Sequence, residues 1–402
     1  MTYLPDPSSM EVGPPTLPQE LIDFILDQVA DARTYRTCSR VARSFRQTSQ
    51  KHIFSHIELR PAYRYWGNSD SSVRDLSRIL LCSPHLALNV RSIILAHGNG
   101  DAPWMSGDTF SKILHALVNL TKISIESDND SDSWLHWAHL PLPLMNAVQS
   151  TVSLPSLTSI RLHHVFFDRN TELVSLLQCC TNLDSLALFR LGVQTMDSDD
   201  TETRHIQFGP SSLEMQFCRL PLLHSVTSAV DLRRLRHFRI TLLSPAMEAE
   251  IRDILDATEA LVHCHISLSH SSTDADIISL RNLSLLRTLE ITAFFDLAIS
   301  PDGYDPVLWM RNVLATARGP SPIQQVILNL HVQESDLPYL SRLADLEALF
   351  IAPEMAVLRN VTVCLDSHDL DFSVQGGEWE VREAFPVLLD RELLEIKLLG
   401  VP

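Results

Sequence analysis

A short apolar triple of the form L-x-x-L-x-L recurs along most of this chain, each time behind a stretch of helical periodicity. It limits the fold more than any other feature. The triple begins at Val90, Leu120, Leu157, Leu183, Leu235, Leu261, Leu286, Ile323 and Leu346, and reads LTKISI at 120, LDSLAL at 183 and LRTLEI at 286. With roughly a third of positions large and apolar, such a triple arises by chance about once in 25 positions, so alone it carries little weight. The ordered partner in front of it carries more. DTFSKILHALVN at 108, NTELVSLLQCCTN at 170, AMEAEIRDILDATEA at 246, DPVLWMRNVLATARG at 305 and ESDLPYLSRLAD at 334 all have helical spacing, and Asp305 before Pro306 makes an N-cap and first-turn pair.

One strand and one helix cannot bury both their faces alone, so such units must stack on their neighbours. The expectation is an α/β chain built as an irregular leucine-rich-repeat-like solenoid over residues 61 to 357, lined by strands on one side. LEMQFC at 213 is a degenerate unit inside the one double-length gap. Irregular loops are expected at 127 to 153, 194 to 212 and 296 to 306. Beyond 358 the pattern changes: LRNVTVCL and DLDFSV lie close enough to pair locally, and AFPVLLDRELLEIKLL returns to helix then strand. Residues 358 to 402 therefore read as a capping region.

Composition narrows the partners. The chain has 402 residues, with 32 Lys plus Arg against 49 Asp plus Glu and a net charge of −17. That surplus opposes a general nucleic-acid or anionic-membrane role, which needs clustered cations. Apolar residues make up 45% and Gly only 12 positions, enough for large cores. Seven cysteines form no CxxC pair and no disulfide-like rhythm, as expected of a reduced intracellular protein. No apolar run approaches the ~18 residues needed to cross a bilayer, and the start lacks a secretory pattern, so cytoplasm or nucleus is expected.

The first sixty residues follow a different logic. Pro5, Pro7, Pro14 and Pro15 make residues 1 to 16 a disordered tail. Thr16 and Gln19 then stand at capping-box spacing, Pro18 lies in a first turn, and Leu21, Ile22, Ile25 and Val29 recur at helical spacing. Asp31 or Thr34 caps a second helix, with Tyr35, Cys38, Val41, Ala42 and Phe45 on one arc and Arg33, Arg36, Arg40 and Arg43 on the other.

The stretch LPQELIDFILDQV, TYRTCSRVARSF and HIF, within residues 17 to 60, resembles the F-box, a compact helical module. The likeness rests on Leu17-Pro18, Glu20-Leu21, Ile25, Val29, Cys38, Val41 and Phe45; Ala42 stands where a Cys is frequent and Phe45 where a Trp is frequent. An F-box ahead of leucine-rich-like repeats is similar to the large fungal family of such proteins. The resemblance implies a substrate-recognition adaptor of a Skp-cullin-F-box ubiquitin ligase that performs no covalent chemistry, holds no cofactor and presents a protein target. By the family's pattern, Leu17, Pro18, Leu21, Ile25, Val41 and Phe45 form or support the surface that docks on the Skp adaptor. Because that adaptor is acidic, Arg36 and Arg40 are expected to steer the encounter. The alternative is a protein-interaction scaffold unconnected with ubiquitin.

Motifs that would announce an enzyme are missing: there is no GxGxxG, GxxxxGK[ST], GxSxG or HExxH. His263-Cys264-His265 reads as a strand, which puts the two histidines on one solvent-facing side and Cys264 in the core, a poor metal set. His163-His164 reads as a surface pair, and Cys179-Cys180 as one core and one partly exposed thiol. The acidic runs at 126 to 132 and 197 to 200 lack the Gly and Glu of an EF-hand and read as solvated loops. Interface hot spots favour Trp and Tyr, which makes Trp134 and Trp137 candidate target contacts and leaves Tyr63, Tyr65 and Trp66 to seal the helices to the first repeat.

Overall fold

The structure, a computed structural model, describes residues 17–29, 31–59, 69–97, 108–127, 134–195, 209–244, 246–268, 278–295, 305–317, 321–333, 336–366 and 374–399. Outside these residues lie the tail, Thr16, the Tyr63, Tyr65 and Trp66 group, most of both acidic runs and the segment 296 to 304. Three helices come first: α1 (Gln19–Asp27), α2 (Ala32–Val41) and α3 (Arg43–Ser55). The strands are β1 (His56–Leu59), β2 (Ser92–His97), β3 (Lys122–Ser127), β4 (Leu135–His136), β5 (Ser159–His163), β6 (Val165–Arg169), β7 (Ser185–Phe189), β8 (Gly192–Thr195), β9 (Ser212–Gln216), β10 (His237–Leu242), β11 (His263–Leu268), β12 (Thr288–Phe294), β13 (Gln325–His331), β14 (Asn360–Asp366) and β15 (Leu394–Leu399).

Twelve of these form one parallel sheet in the order β1-β2-β3-β5-β7-β9-β10-β11-β12-β13-β14-β15, and β4-β6-β8 form a small second sheet. Strand order follows chain order without a reversal, so the sheet has no switch point of the kind that makes a ligand crevice in doubly wound folds. The registered pairs line up two apolar ladders. Ile93, Ile123, Ile160, Leu186, Leu213 and Phe238 continue through Cys264, Leu289, Val326 and Val361. Two residues further along each strand, the second ladder runs from Leu95 to Val363, and every rung of both is at most 3% exposed. Between these rungs the other face carries mostly polar residues, among them Arg161, Glu214, Arg239, His265, Glu290 and Thr362, with Ile94, Ala187 and Ile327 interspersed. The sheet is thus sealed on one face and open on the other.

These strands correct the expected architecture. The α/β class is shared, but a free-standing helical F-box module followed by a leucine-rich-repeat-like solenoid is not what forms. The helical block runs straight into the main sheet: α3 passes into β1, and β1 pairs with β2 from His56↔Ser92 to Leu59↔Leu95. At the other end β14 is flanked by β13 and β15, so LRNVTVCL extends the same sheet, while DLDFSV lies outside the described residues up to Val374. Leu346 opens no strand either. Leu346, Leu349 and Phe350 stand at i, i+3 and i+4 in the helix Ala344–Phe350, a spacing the triple shares with helices. The expected loop at 127 to 153 holds β4, a 3-10 turn and the helix Leu142–Val152, which starts behind Pro141 with Pro143 in its first turn.

Two further local expectations differ. Pro18 is the N-cap of α1 and makes no side-chain cap, while Gln19 Nε2 donates to Asp23 Oδ1 at 2.8 Å and to the Ser44 carbonyl at 2.9 Å. The second helix breaks at Ala42, whose φ of −148° and ψ of 156° are extended, so Arg43 and Phe45 belong to α3 and the four-arginine arc is split. Asp305 does cap its helix, accepting from Leu308 N at 3.1 Å.

A ladder packed this closely cannot absorb a lost side chain. Leu188→Ala, at a fully buried rung, is expected to cost about 2–5 kcal/mol, whereas Leu285→Ala, at a residue 52% exposed, should stay within about 0.5 kcal/mol. Urea midpoints of the two variants measure the difference.

Candidate functional site

Two surfaces concentrate unsatisfied binding capacity, one on the helical block and one on the sheet. In α1, Ile22 and Leu26 turn inward onto Tyr35 to make a small core separate from that of the sheet, with Val29, Cys38, Phe45 and Ile53 around it. The Tyr35 hydroxyl lies against the carbonyls of Leu26 and Val29, closing the α1–α2 turn. Tyr35 also stacks on His52 at 4.5 Å, and His52 Nε2 reaches Asp27 Oδ1 at 2.6 Å, so α3 is fastened to both helices. The Thr48 hydroxyl donates to Asp23 and holds that carboxyl below the usual carboxylate range.

A nine-residue helix with five apolar residues has more grease than this small core uses. Leu21, Phe24 and Ile25 are 48%, 64% and 53% exposed, and Leu17, just ahead of the helix, is 58% exposed. Pro18 lies in the open beside them, and Val41, at the end of α2, is exposed as well. Arg36 and Arg40 face solvent, together with Arg33. Phe45 differs: it is half-buried against the small core and supports the surface from beneath. Phe24 was missed from sequence. Its signal was that apolar residues run around α1 beyond the width of one stripe.

The open face of the sheet is polar and cross-linked strand to strand. Arg239 Nη1 lies 3.3 Å from Glu214, and Arg161 Nε lies 3.9 Å from Glu126. The densest knot surrounds Glu290 on β12. Asn329 Nδ2 donates to its Oε1 at 2.7 Å, His265 Nδ1 is 3.4 Å from Oε1, and His263 Nε2 is 3.5 Å from Oε2. His265 Nε2 also meets Thr292 Oγ1 at 2.9 Å. As a carboxylate only accepts, the ring proton of His265 belongs on Nδ1, and Nε2 accepts from the threonine. The expected solvent-facing histidine pair is therefore uneven, because neighbouring strands cover His265 to 3% exposure.

Burial pushes the His265 imidazole down to about 4, against the pull of Glu290. Burial also pushes Glu290 up, but the His263 hydrogen bond, the His265 ring and the Asn329 amide outweigh it and bring the carboxyl to about 2. At neutral pH the His265–Glu290 contact is accordingly a hydrogen bond from a neutral ring. Cys264 points to the opposite, core face, where burial lifts its thiol to about 12. Cys180 is buried and Cys179 half-buried. Among the described residues no group of three or more His, Cys, Asp or Glu is placed to hold a metal ion.

The strand ends add a strained corner. His164, Arg190 and Phe217, each directly after β5, β7 and β9, have φ of 56°, 46° and 54°. Left-handed backbone at three non-glycine residues in adjacent strands is costly and concentrates where a fold aims side chains at a purpose. Here Arg161 lies 4.4 Å over the Phe189 ring, Arg190 lies 5.5 Å over Phe217, and Arg190 reaches His164 at 3.3 Å. Trp134 leans on this corner, 5.3 Å from His164 and 6.0 Å from Phe166. Gly192 leaves room for the Phe166 ring, since a Cβ there would come 2.5 Å from that ring. Trp137 is 3% exposed and packs on Phe167, so it belongs to the core and Trp134 is the accessible member of the pair. His163 stacks on His164 at 4.8 Å.

No protein-family model matches this chain, and no curated protein matches it. Among the described residues no helix is long and apolar enough to cross a membrane.

The buried His265 and Glu290 tie stability to acid. The unfolded chain takes up a proton near pH 6.5 at His265 and near 4.5 at Glu290, and the folded chain only near 4 and 2. Stability present at pH 7 is therefore lost as pH falls, first through 6.5 to 4 and then through 4.5 to 2. The first window is worth up to about 3 kcal/mol. His265→Gln, which cannot titrate, should flatten the urea-midpoint profile between pH 6.5 and 4; an unchanged slope would free His265 of this role.

Proposed function

We propose that the chain is a substrate-recognition subunit of a Skp-cullin-F-box ubiquitin ligase, docking on the Skp adaptor through its N-terminal helices and holding a protein target on the open sheet face. The observation that carries this reading is the exposed apolar shelf of Leu17, Pro18, Leu21, Phe24 and Ile25. A shelf of this kind is stable in water only at a cost, and a partner with an apolar groove removes that cost. Arg33, Arg36 and Arg40 stand on a chain whose net charge is −17, so the block is a local positive feature suited to an acidic adaptor.

The target side of the reading rests on the corner that gathers Trp134, Arg161, Phe189, Arg190 and Phe217. Tryptophan, arginine and rigid aromatics at low conformational freedom are the chemistry of protein contact sites. The chain performs no covalent step in this account. It raises the concentration of a target lysine beside the ubiquitin carrier by holding both on one body.

Burying an exposed leucine against a partner is worth about 1.5–3 kcal/mol, so Leu17→Asp, Pro18→Ser and Leu21→Asp together should weaken adaptor binding about a hundredfold or more. Since all three positions are exposed, the thermal unfolding midpoint should not move. Full-strength adaptor pull-down by the triple variant would remove the assignment.

A further inference from the structure

The far edge of the sheet is not finished as the interior is. β15 pairs with β14 on one side, Val361↔Leu394 through Asp366↔Leu399, and among the described residues no strand pairs with its other side. Its apolar rungs show the same lack: Leu394 and Ile396 are only partly buried and Leu398 is 39% exposed, although their partners Val361, Val363 and Leu365 are at most 2% exposed.

Hydrogen bonding fixes which groups are left over. Val361 N donates to Leu393 O at 2.8 Å. In a strand the N–H and C=O of one residue point the same way and alternate along the chain, so residues 393, 395, 397 and 399 face β14. Leu394, Ile396 and Leu398 aim their N–H and C=O groups outward, an edge that invites another strand.

The order Leu394, Glu395, Ile396, Lys397, Leu398 reads apolar, acid, apolar, base, apolar. Run antiparallel against itself with Ile396 opposite Ile396, it sets Glu395 opposite Lys397 and Leu394 opposite Leu398. The three outward residues then form the hydrogen-bonded pairs. The charged residues fall in the non-hydrogen-bonded pairs, where side chains come closest. Slipping the register by two residues either way puts Glu395 opposite Glu395 or Lys397 opposite Lys397, which repels. Opposite residues of an antiparallel pair share a face, so the greasy rungs of both copies join on the helix-covered side.

The geometry points to a second copy of this chain as the occupant of the β15 edge, giving a two-fold dimer whose sheet runs continuously through two antiparallel β15 strands. Within one copy Glu395 Oε2 accepts from Thr362 Oγ1 at 3.1 Å and Asn360 Nδ2 at 3.3 Å, and Oε1 lies 3.2 Å from Lys397 Nζ of the same strand, so the dimer exchanges this pair for the cross-strand one. This dimer is independent of what the N-terminal helices bind.

Sedimentation of the full chain against concentration tests it, with the 45.3 kDa mass as the monomer reference. The wild type should associate to twice that mass. Lys397→Glu sets like charges opposite at both cross-pairs and should weaken association about tenfold. Glu395→Lys with Lys397→Glu restores opposite charges in the same register and should recover it. A wild type that stays monomeric at every concentration, or a dimer indifferent to Lys397→Glu, would overturn the proposal. Circular dichroism of the variants separates lost association from lost folding.

Discussion

Everything in this structure depends on a parallel ladder that must be sealed on one side only. A parallel strand satisfies its backbone through neighbours on both sides, and each neighbour arrives after a covalent crossover that lays helical or irregular chain over the same face. Once that face is filled with two unbroken apolar ladders, the other is free to carry whatever side chains the register places there. Cost and opportunity share one origin: the closed face supplies the cohesion, and the open face supplies a wide, rigid display of polar groups.

That display is not a loose fringe of charges. Glu290 is gripped by an amide and two imidazoles, and Glu214 and Glu126 each have an arginine within reach. Such contacts are individually modest at exposed positions. Around Glu290 they fall among half-buried neighbours, where a neutral His265 and an ionised carboxylate fit together without a second buried charge. These contacts tie neighbouring strands together across the face, and the left-handed residues at 164, 190 and 217 stand beside the arginine–aromatic contacts at its rim.

Much of this was legible in the residues, for definable reasons. Apolar positions two apart mark a strand with one covered face, and this placed β2, β3, β5, β7 and β10 to β13 where they occur. The triple's first step, of three residues, is also a helical step, which is why Leu346 misled. What the pattern cannot encode is how elements of different kind join. Nothing in the first sixty residues announced that α3 would run into β1 and make the helical block continuous with the sheet. The break at Ala42 was equally silent, because alanine is a good helix former and only the demands of tertiary packing put it in extended backbone. Histidine burial depended on contacts far along the chain, beyond any local rule: His265 meets Thr292, 27 residues on, and Thr292 meets Asn329, a further 37 residues on.

The helical shelf and the sheet face differ in chemistry, the first apolar and beside β1, the second polar with an aromatic rim along β5, β7 and β9. The claim that matters most is that the shelf is a docking surface and not a tolerated imperfection. Hydrogen exchange of the full chain, with and without a purified Skp adaptor, tests it most directly. New protection is expected to be confined to α1 and α2, with β2 to β14 unchanged. Exchange that is identical in both samples, or protection that appears on the sheet while the helices stay as they were, would contradict that claim.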